Sequence, residues 1–150
     1  MKKILMLLIL FYGHVYALDR DSTLKIYHKL FFSLTPKAVI SVYVNDDEYR
    51  QVFLTSKRLK LVKDLKDADI VLITNERTLG RALSQNQSLE VGRKPILFVT
   101  DHHFLGRSKD IVGAFYWRKG RSQLLFIKSR LDAYHITLLD EYQKFIVDEL

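Results

Sequence analysis

Four short apolar runs, each bounded by polar or turn-forming residues, constrain this chain more than any other feature. They cover residues 39–44, 59–62, 68–73 and 95–99. Each is short for a helix and rich in Val, Ile and Leu, so each reads as a buried strand. Pro95 opens the fourth, a position where a missing N–H is tolerated. Helical patterns lie between them. Residues 24–34 set Leu24, Ile26, Tyr27, Leu30, Phe31 and Leu34 on one broad face, with Asp21-Ser22-Thr23 as the cap. Thr35-Pro36 ends this helix, because a residue before proline is pushed out of the helical region. Asn45-Asp46-Asp47 caps a helix over 47–56, on which Tyr49, Val52 and Phe53 share a face. Asn75-Glu76-Arg77 opens a third that runs to Ser84, followed by an irregular polar stretch over 85–93.

Beyond Val99 the pattern changes. Residues 111–117 and 122–128 are strand-like runs joined by Arg118-Lys119-Gly120-Arg121, the signature of a β-hairpin. Residues 129–150 read as a closing helix with Leu131, Ile136, Leu139, Tyr142, Phe145 and Ile146 directed to the core. The predicted fold class is therefore α/β: one compact domain, a largely parallel sheet followed by an antiparallel β-hairpin and a C-terminal helix.

The start of the chain has a different character. Met1-Lys2-Lys3 is basic, residues 4–11 are uniformly apolar, and Val15-Tyr16-Ala17 suits a cleavage point. This is the layout of a secretory signal peptide. The apolar run falls short of the roughly 20 residues that span a bilayer. Residues 1–17 are thus expected to be removed near Ala17, leaving an exported domain over 18–150 with no stable membrane insertion. Loss of Lys2 and Lys3 lowers the net charge from +7 to +5, and the charges are interspersed, as on a solvated surface. The chain has no cysteine. Thiolate metal sites and thiol catalysis are excluded, no lipid is attached at the cleavage point, and in an oxidising compartment the fold rests on its core. A Gram-negative periplasm fits these features.

In this order the segments resemble the YfiR family of small periplasmic proteins. Residues 24–32, with Tyr27, Phe31 and Phe32, are similar to its aromatic-rich first helix, and Val42-Tyr43-Val44-Asn45-Asp46-Asp47 to its strand and acidic turn. Residues 65–73 correspond to the approach to its central strand, Val99-Thr100-Asp101 to its strand ending in a Ser/Thr-Asp pair, and residues 111–128 to its hairpin. Departures are Lys109-Asp110 in place of a usual glycine pair, Thr35-Pro36 in place of Trp-Pro, Lys128-Ser129-Arg130 in place of an Asn after the hairpin, and the lack of cysteine. The resemblance implies a regulator that binds the periplasmic part of an inner-membrane partner, typically a diguanylate cyclase, and holds its output off. It implies no catalytic residues.

Asp101-His102-His103 is the strongest chemical motif in the chain. It follows a strand, where open α/β sheets present ligand-contacting groups, and Asp and His suit zinc or copper. On an extended chain neighbouring side chains diverge, so the expected role is a polar turn capped by Asp101, with Asp101, His102 and His103 as metal candidates. The triplet occurs in phosphoesterases named for it, but their upstream acidic motifs are missing. Asp46-Asp47 offers an acid–base pair, for which helix capping is the better account. No serine stands in a glycine-flanked elbow and no phosphate-binding loop is present. Neither catalysis nor a cofactor is expected.

Strand alternation buries Phe115 and Trp117 and turns Tyr116 to the other side. A Trp beside Arg is a frequent interface anchor, so Tyr116, Trp117 and Arg118 are the partner-binding candidates. The basic hairpin turn reads as solvated, and nucleic acid is not expected as a partner after export. Two functions follow as expectations: a regulator docking on an inner-membrane signalling protein, with a homodimer compatible with it, or a small-molecule or metal-binding protein.

Overall fold

All four side chains of strand β3 (Ile70–Ile73) are buried, two on each side of the sheet. Ile70 and Leu72 join one core, while Val71 and Ile73 join the other. Such a strand needs cover on both faces, the condition met by parallel sheets with helices on either side. The computed structural model describes residues 19–150. The expected signal segment, 1–17, lies outside the described residues.

Seven strands form one sheet in the order β2-β1-β3-β4-β5-β6-β7. β1 (Ile40–Val44), β2 (Leu59–Leu61), β3, β4 (Ile96–Val99) and β5 (Ile111–Arg118) are mutually parallel. β6 (Arg121–Ile127) returns antiparallel to β5, and β7 (Ile146–Val147) runs parallel to β6. The helices α1 (Arg20–Leu34) and α2 (Asp47–Leu54) cover one face. There Tyr27 meets Phe31, Tyr49, Phe53 and Phe115 with ring centroids 5.3–5.8 Å apart. The three edge-on pairs, with Tyr49, Phe53 and Phe115, each add about 0.5–1.5 kcal/mol to the burial itself. The helix α3 (Glu76–Gln87) and the turns at Leu65–Asp67 and His102–Arg107 cover the other face with Leu79, Ala82, Leu65, Phe104 and Leu105. The fold is thus a single α/β domain with a mostly parallel sheet and one hairpin.

Local chemistry explains most element boundaries. Asp46 accepts the Tyr49 N–H at 3.1 Å and Asn75 the Thr78 N–H at 2.9 Å, so each caps the helix that follows. Asp46 is therefore the expected cap, and Asp47 is the first residue of the helix, where its charge suits the N-terminus. α1 begins one turn before the expected cap, at Asp19, whose carboxylate accepts from Ser22 Oγ at 2.6 Å. α3 runs on to Gln87, past the expected end at Ser84.

The hairpin turn consists of Lys119 (φ 51°) and Gly120 (φ 75°), with Arg118 paired to Arg121. Two consecutive positive φ values match the right-handed twist of the flanking strands. The closing helix α4 is present but short, Lys128–Ala133. The remaining segment is a 3₁₀ turn over Asp140–Phe145 and the strand β7, rather than the continuous helix expected over 129–150.

Two predictions arise from this architecture. Gly80 lies on the exposed side of α3, and a Cβ built there meets nothing within 4 Å. Gly80→Ala is expected to stabilise the protein by about 0.5–1 kcal/mol, because alanine loses less backbone freedom on folding. Urea titration measures the gain.

The second concerns pH. His28 Nε2 lies 2.6 Å from Ser56 Oγ, which also accepts the N–H groups of Arg58 and Leu59. A hydroxyl already accepting twice donates its own proton to His28, so the neutral imidazole is the form that fits. Burial, and then the Arg58 charge, holds the His28 pKa below its ordinary 6.5. The unfolded chain therefore takes up this proton first as pH falls. The stabilisation is complete above the unfolded pKa and is lost as pH drops through the lowered folded value. Denaturation between roughly pH 7.5 and 5 should show a steeper acid loss in wild type than in His28→Gln. Parallel curves would remove His28 as the cause.

Candidate functional site

The chain leaves β4 at Thr100, whose N–H bonds the Ile73 carbonyl at 3.1 Å, and turns at Asp101 into a 3₁₀ helix over His102–Arg107. The Asp101 carboxylate accepts the His103 N–H at 2.9 Å, so the turn is capped by Asp101 as expected. That cap also gathers the side chains. His103 Nδ1 lies 2.8 Å from Asp101 Oδ1, and His102 Nδ1 lies 3.9 Å from the same oxygen.

The two imidazole rings sit 4.0 Å apart, and His102 stacks on Tyr116 of β5 at 4.6 Å and 29°. On a strand these neighbours diverge; on a tight helical turn they do not. The expectation that His102 and His103 would point apart is thus corrected by the turn itself. Burial pushes the Asp101 carboxyl up, but the His103 N–H, the His103 ring and the two imidazole charges outweigh it and hold the pKa below its usual value.

The segment is fastened on three sides. Phe104 and Leu105 are buried in the core. Arg107 Nη1 lies 3.0 Å from Glu76 Oε1 at the start of α3. The Asp110 carboxylate lies 3.5 Å from both Lys94 Nζ and Asn86 Nδ2. Burial, and then the Asp110 charge, pushes the Tyr134 phenol well above its usual pKa. Asp110 is therefore part of a polar fastening at the base of β5.

The three partner-binding candidates separate in space. Tyr116 faces the His102 side, packed against the second core. Trp117 lies on the opposite side and is 67% exposed, contrary to the burial expected from alternation with Phe115. The parity is as expected, but the hairpin runs beyond the helices that cover the sheet. β5 is exposed from Trp117 onward and β6 is exposed through Gln123. Arg118, Lys119 and Arg121 follow it in the chain and are all exposed, and the paired Arg118 and Arg121 alternate to the Tyr116 face of the hairpin.

Among the described residues the other two histidines lie outside the cluster: His28 bonds Ser56, and His135 is exposed at the end of α4. Among the described residues, Asp101, His102 and His103 are the group of three or more acidic or imidazole side chains placed to share an ion. An open groove of about 490 Å³ lies between Leu65 and Arg81, and none of its lining residues belongs to the cluster or the hairpin.

The sequence reading missed the Tyr116–His102 stack and the role of Arg130, whose guanidinium holds three carbonyls of this segment. Strand parity carried a signal for the former, since it turned Tyr116 to the face opposite Phe115. No signal marked the latter.

No family model matches this chain, and no curated protein matches it. Its fold is similar to that of a solved structure, a conserved domain protein from Vibrio cholerae. The two share a TM-score of 0.56 and 13% identity over 83% of this chain. This chain spans 59% of that protein's length. The likeness establishes the fold alone.

Proposed function

We propose that this chain is a periplasmic, non-enzymatic regulatory protein that binds the periplasmic part of an inner-membrane signalling protein, of diguanylate cyclase type, and represses its output. The observation that carries this reading is Trp117, a large apolar side chain 67% exposed near a projecting basic hairpin turn. Exposed Trp next to Arg in the chain is the composition of a binding hot spot, and the basic hairpin turn suits an acidic partner surface. The YfiR-like order of segments supplies the class of partner. The signal-peptide layout supplies the compartment, with cleavage near Ala17. Among the described residues no helix is long and apolar enough to cross a membrane.

A photo-crosslinking residue placed at position 117 in the native host tests the reading. The expected adduct contains an inner-membrane protein with a cytoplasmic cyclase domain. Deletion of the gene should raise cyclic di-GMP, and Trp117→Ala with Arg118→Ala should reproduce that rise while leaving Tm unchanged. The double variant is expected to weaken partner binding by about 2 kcal/mol or more, roughly 30-fold in Kd. Unchanged cyclic di-GMP on deletion would overturn the proposal. The second reading, a small-molecule or metal-binding protein, is favoured by the gathering of Asp101, His102 and His103.

A further inference from the structure

We infer that Asp101, His102 and His103 form a binding site for one divalent late first-row transition ion of the zinc and copper class. The inference stands on the geometry of the turn and does not depend on the identity of any protein partner.

The donor atoms come first. One ligand atom from each of the three residues lies within 4.8 Å of the other two. An ion held at about 2.0–2.2 Å by nitrogen and oxygen needs donors roughly 3.0–3.4 Å apart. The 2.8 Å and 3.9 Å separations of the two Nδ1 atoms from Asp101 Oδ1 bracket that range. Small rotations of the Asp101 and His103 side chains therefore close the set around His102 without moving the backbone. Two imidazoles and one carboxylate are borderline donors that select zinc, copper or nickel over calcium and magnesium, which prefer all-oxygen sets.

The surroundings favour a built site over three loose side chains. Capping the 3₁₀ turn requires the Asp101 carboxylate but neither imidazole. Yet His102 is held between His103 and the Tyr116 ring, and the turn below is anchored by buried Phe104 and Leu105. Part of the orientation a metal demands is therefore already set. The site is also reachable, since the side chains of Asp101 and His103 are 45% and 76% exposed. Three protein donors leave coordination positions for water or a further ligand. The place is the carboxyl end of a parallel strand, where open α/β sheets present their binding groups.

Isothermal titration of the untagged protein with zinc chloride, and separately with copper(II) chloride, tests the site. One ion per chain is expected. At a free zinc concentration about a hundred times Kd, Tm should rise by roughly 5–10 °C. His102→Ala and His103→Ala should each weaken binding by roughly 10–100-fold or more. His135→Ala, at an exposed histidine outside the cluster, should leave it unchanged. Copper(II) EPR should report two nitrogen donors in the wild type and one in either histidine variant, each checked for native circular dichroism. Absence of both heat and Tm shift at millimolar metal would overturn the inference. So would binding that survives the His102→Ala/His103→Ala double variant.

Discussion

Arg130→Ala is expected to cost about 2–3 kcal/mol of folding stability and to loosen the segment that carries Asp101, His102 and His103. Arg130 projects from α4, and its Nη1 lies 2.7 Å from the Leu105 carbonyl, 2.9 Å from Ser108 and 3.0 Å from Ile111. One guanidinium nitrogen thus gathers the end of the 3₁₀ turn, the loop and the first residue of β5. Charged donors to part-buried carbonyls contribute about 1.5–3 kcal/mol net, and their loss leaves acceptors without partners. Urea unfolding should give the loss in stability, and hydrogen exchange should rise across residues 102–111 ahead of the β3 core. Arg130→Lys should recover only part of the loss, because the lysine side chain is one bond shorter and its ammonium falls short of the place Nη1 holds. Unchanged exchange in that segment, whatever the global stability, would remove Arg130 as its fastener.

Gly113→Ala is expected to destabilise the fold by about 3 kcal/mol, the upper part of the range for overpacking. The reason is a bulge. Leu97 pairs with Ile111, but the next residue, Phe98, pairs with Gly113, so Val112 is extra in β5. The bulge turns position 113 toward the same aromatic layer that receives Val112. A Cβ there meets the Leu125 carbonyl oxygen at 2.5 Å, Phe126 Cδ1 at 2.8 Å and Phe98 Cε2 at 3.1 Å. The rings have some room to give, but the Leu125 oxygen belongs to the β5–β6 ladder and does not. Gly106→Ala is the control, since nothing lies within 4 Å of a Cβ there. Equal losses at the two positions would show that backbone freedom, not packing, explains the effect. Paired with the stabilisation expected for Gly80→Ala, the three glycines should rank by their surroundings.

The first half of the chain was largely legible because its signals are local. Val42, Ile70, Leu72 and Phe98 sit in runs whose composition marks a buried strand, and Asp46 and Asn75 mark helix starts by their own capping bonds. The C-terminal segment was not legible, and His135 shows why. α4 ends in a Schellman motif, with the Ile136 N–H on the Leu131 carbonyl at 2.9 Å and the His135 N–H on Asp132 at 3.0 Å. The residue in the left-handed position, φ 55°, is His135 rather than the usual glycine. Without that glycine, apolar residues at helical spacing read straight through the break. β7 follows from the same event, because the chain after His135 is free to return and add Ile146 and Val147 beside Phe126 and Ile127.

The sequence by itself determined the alternation of strands and helices, the hairpin and the identity of the polar groups at the end of β4. Those depend on residue spacing, turn chemistry and apolar runs, which act over a few neighbours. Tertiary structure alone decided whether those groups meet. Asp101, His102 and His103 converge because their backbone is wound into a 3₁₀ turn, and Tyr116 closes on His102 from a strand that pairs beside β4. Trp117 is exposed for the complementary reason: its parity points to the aromatic face, but among the described residues no helix reaches that far along the hairpin. Parity is a property of the strand. Cover is a property of the whole fold.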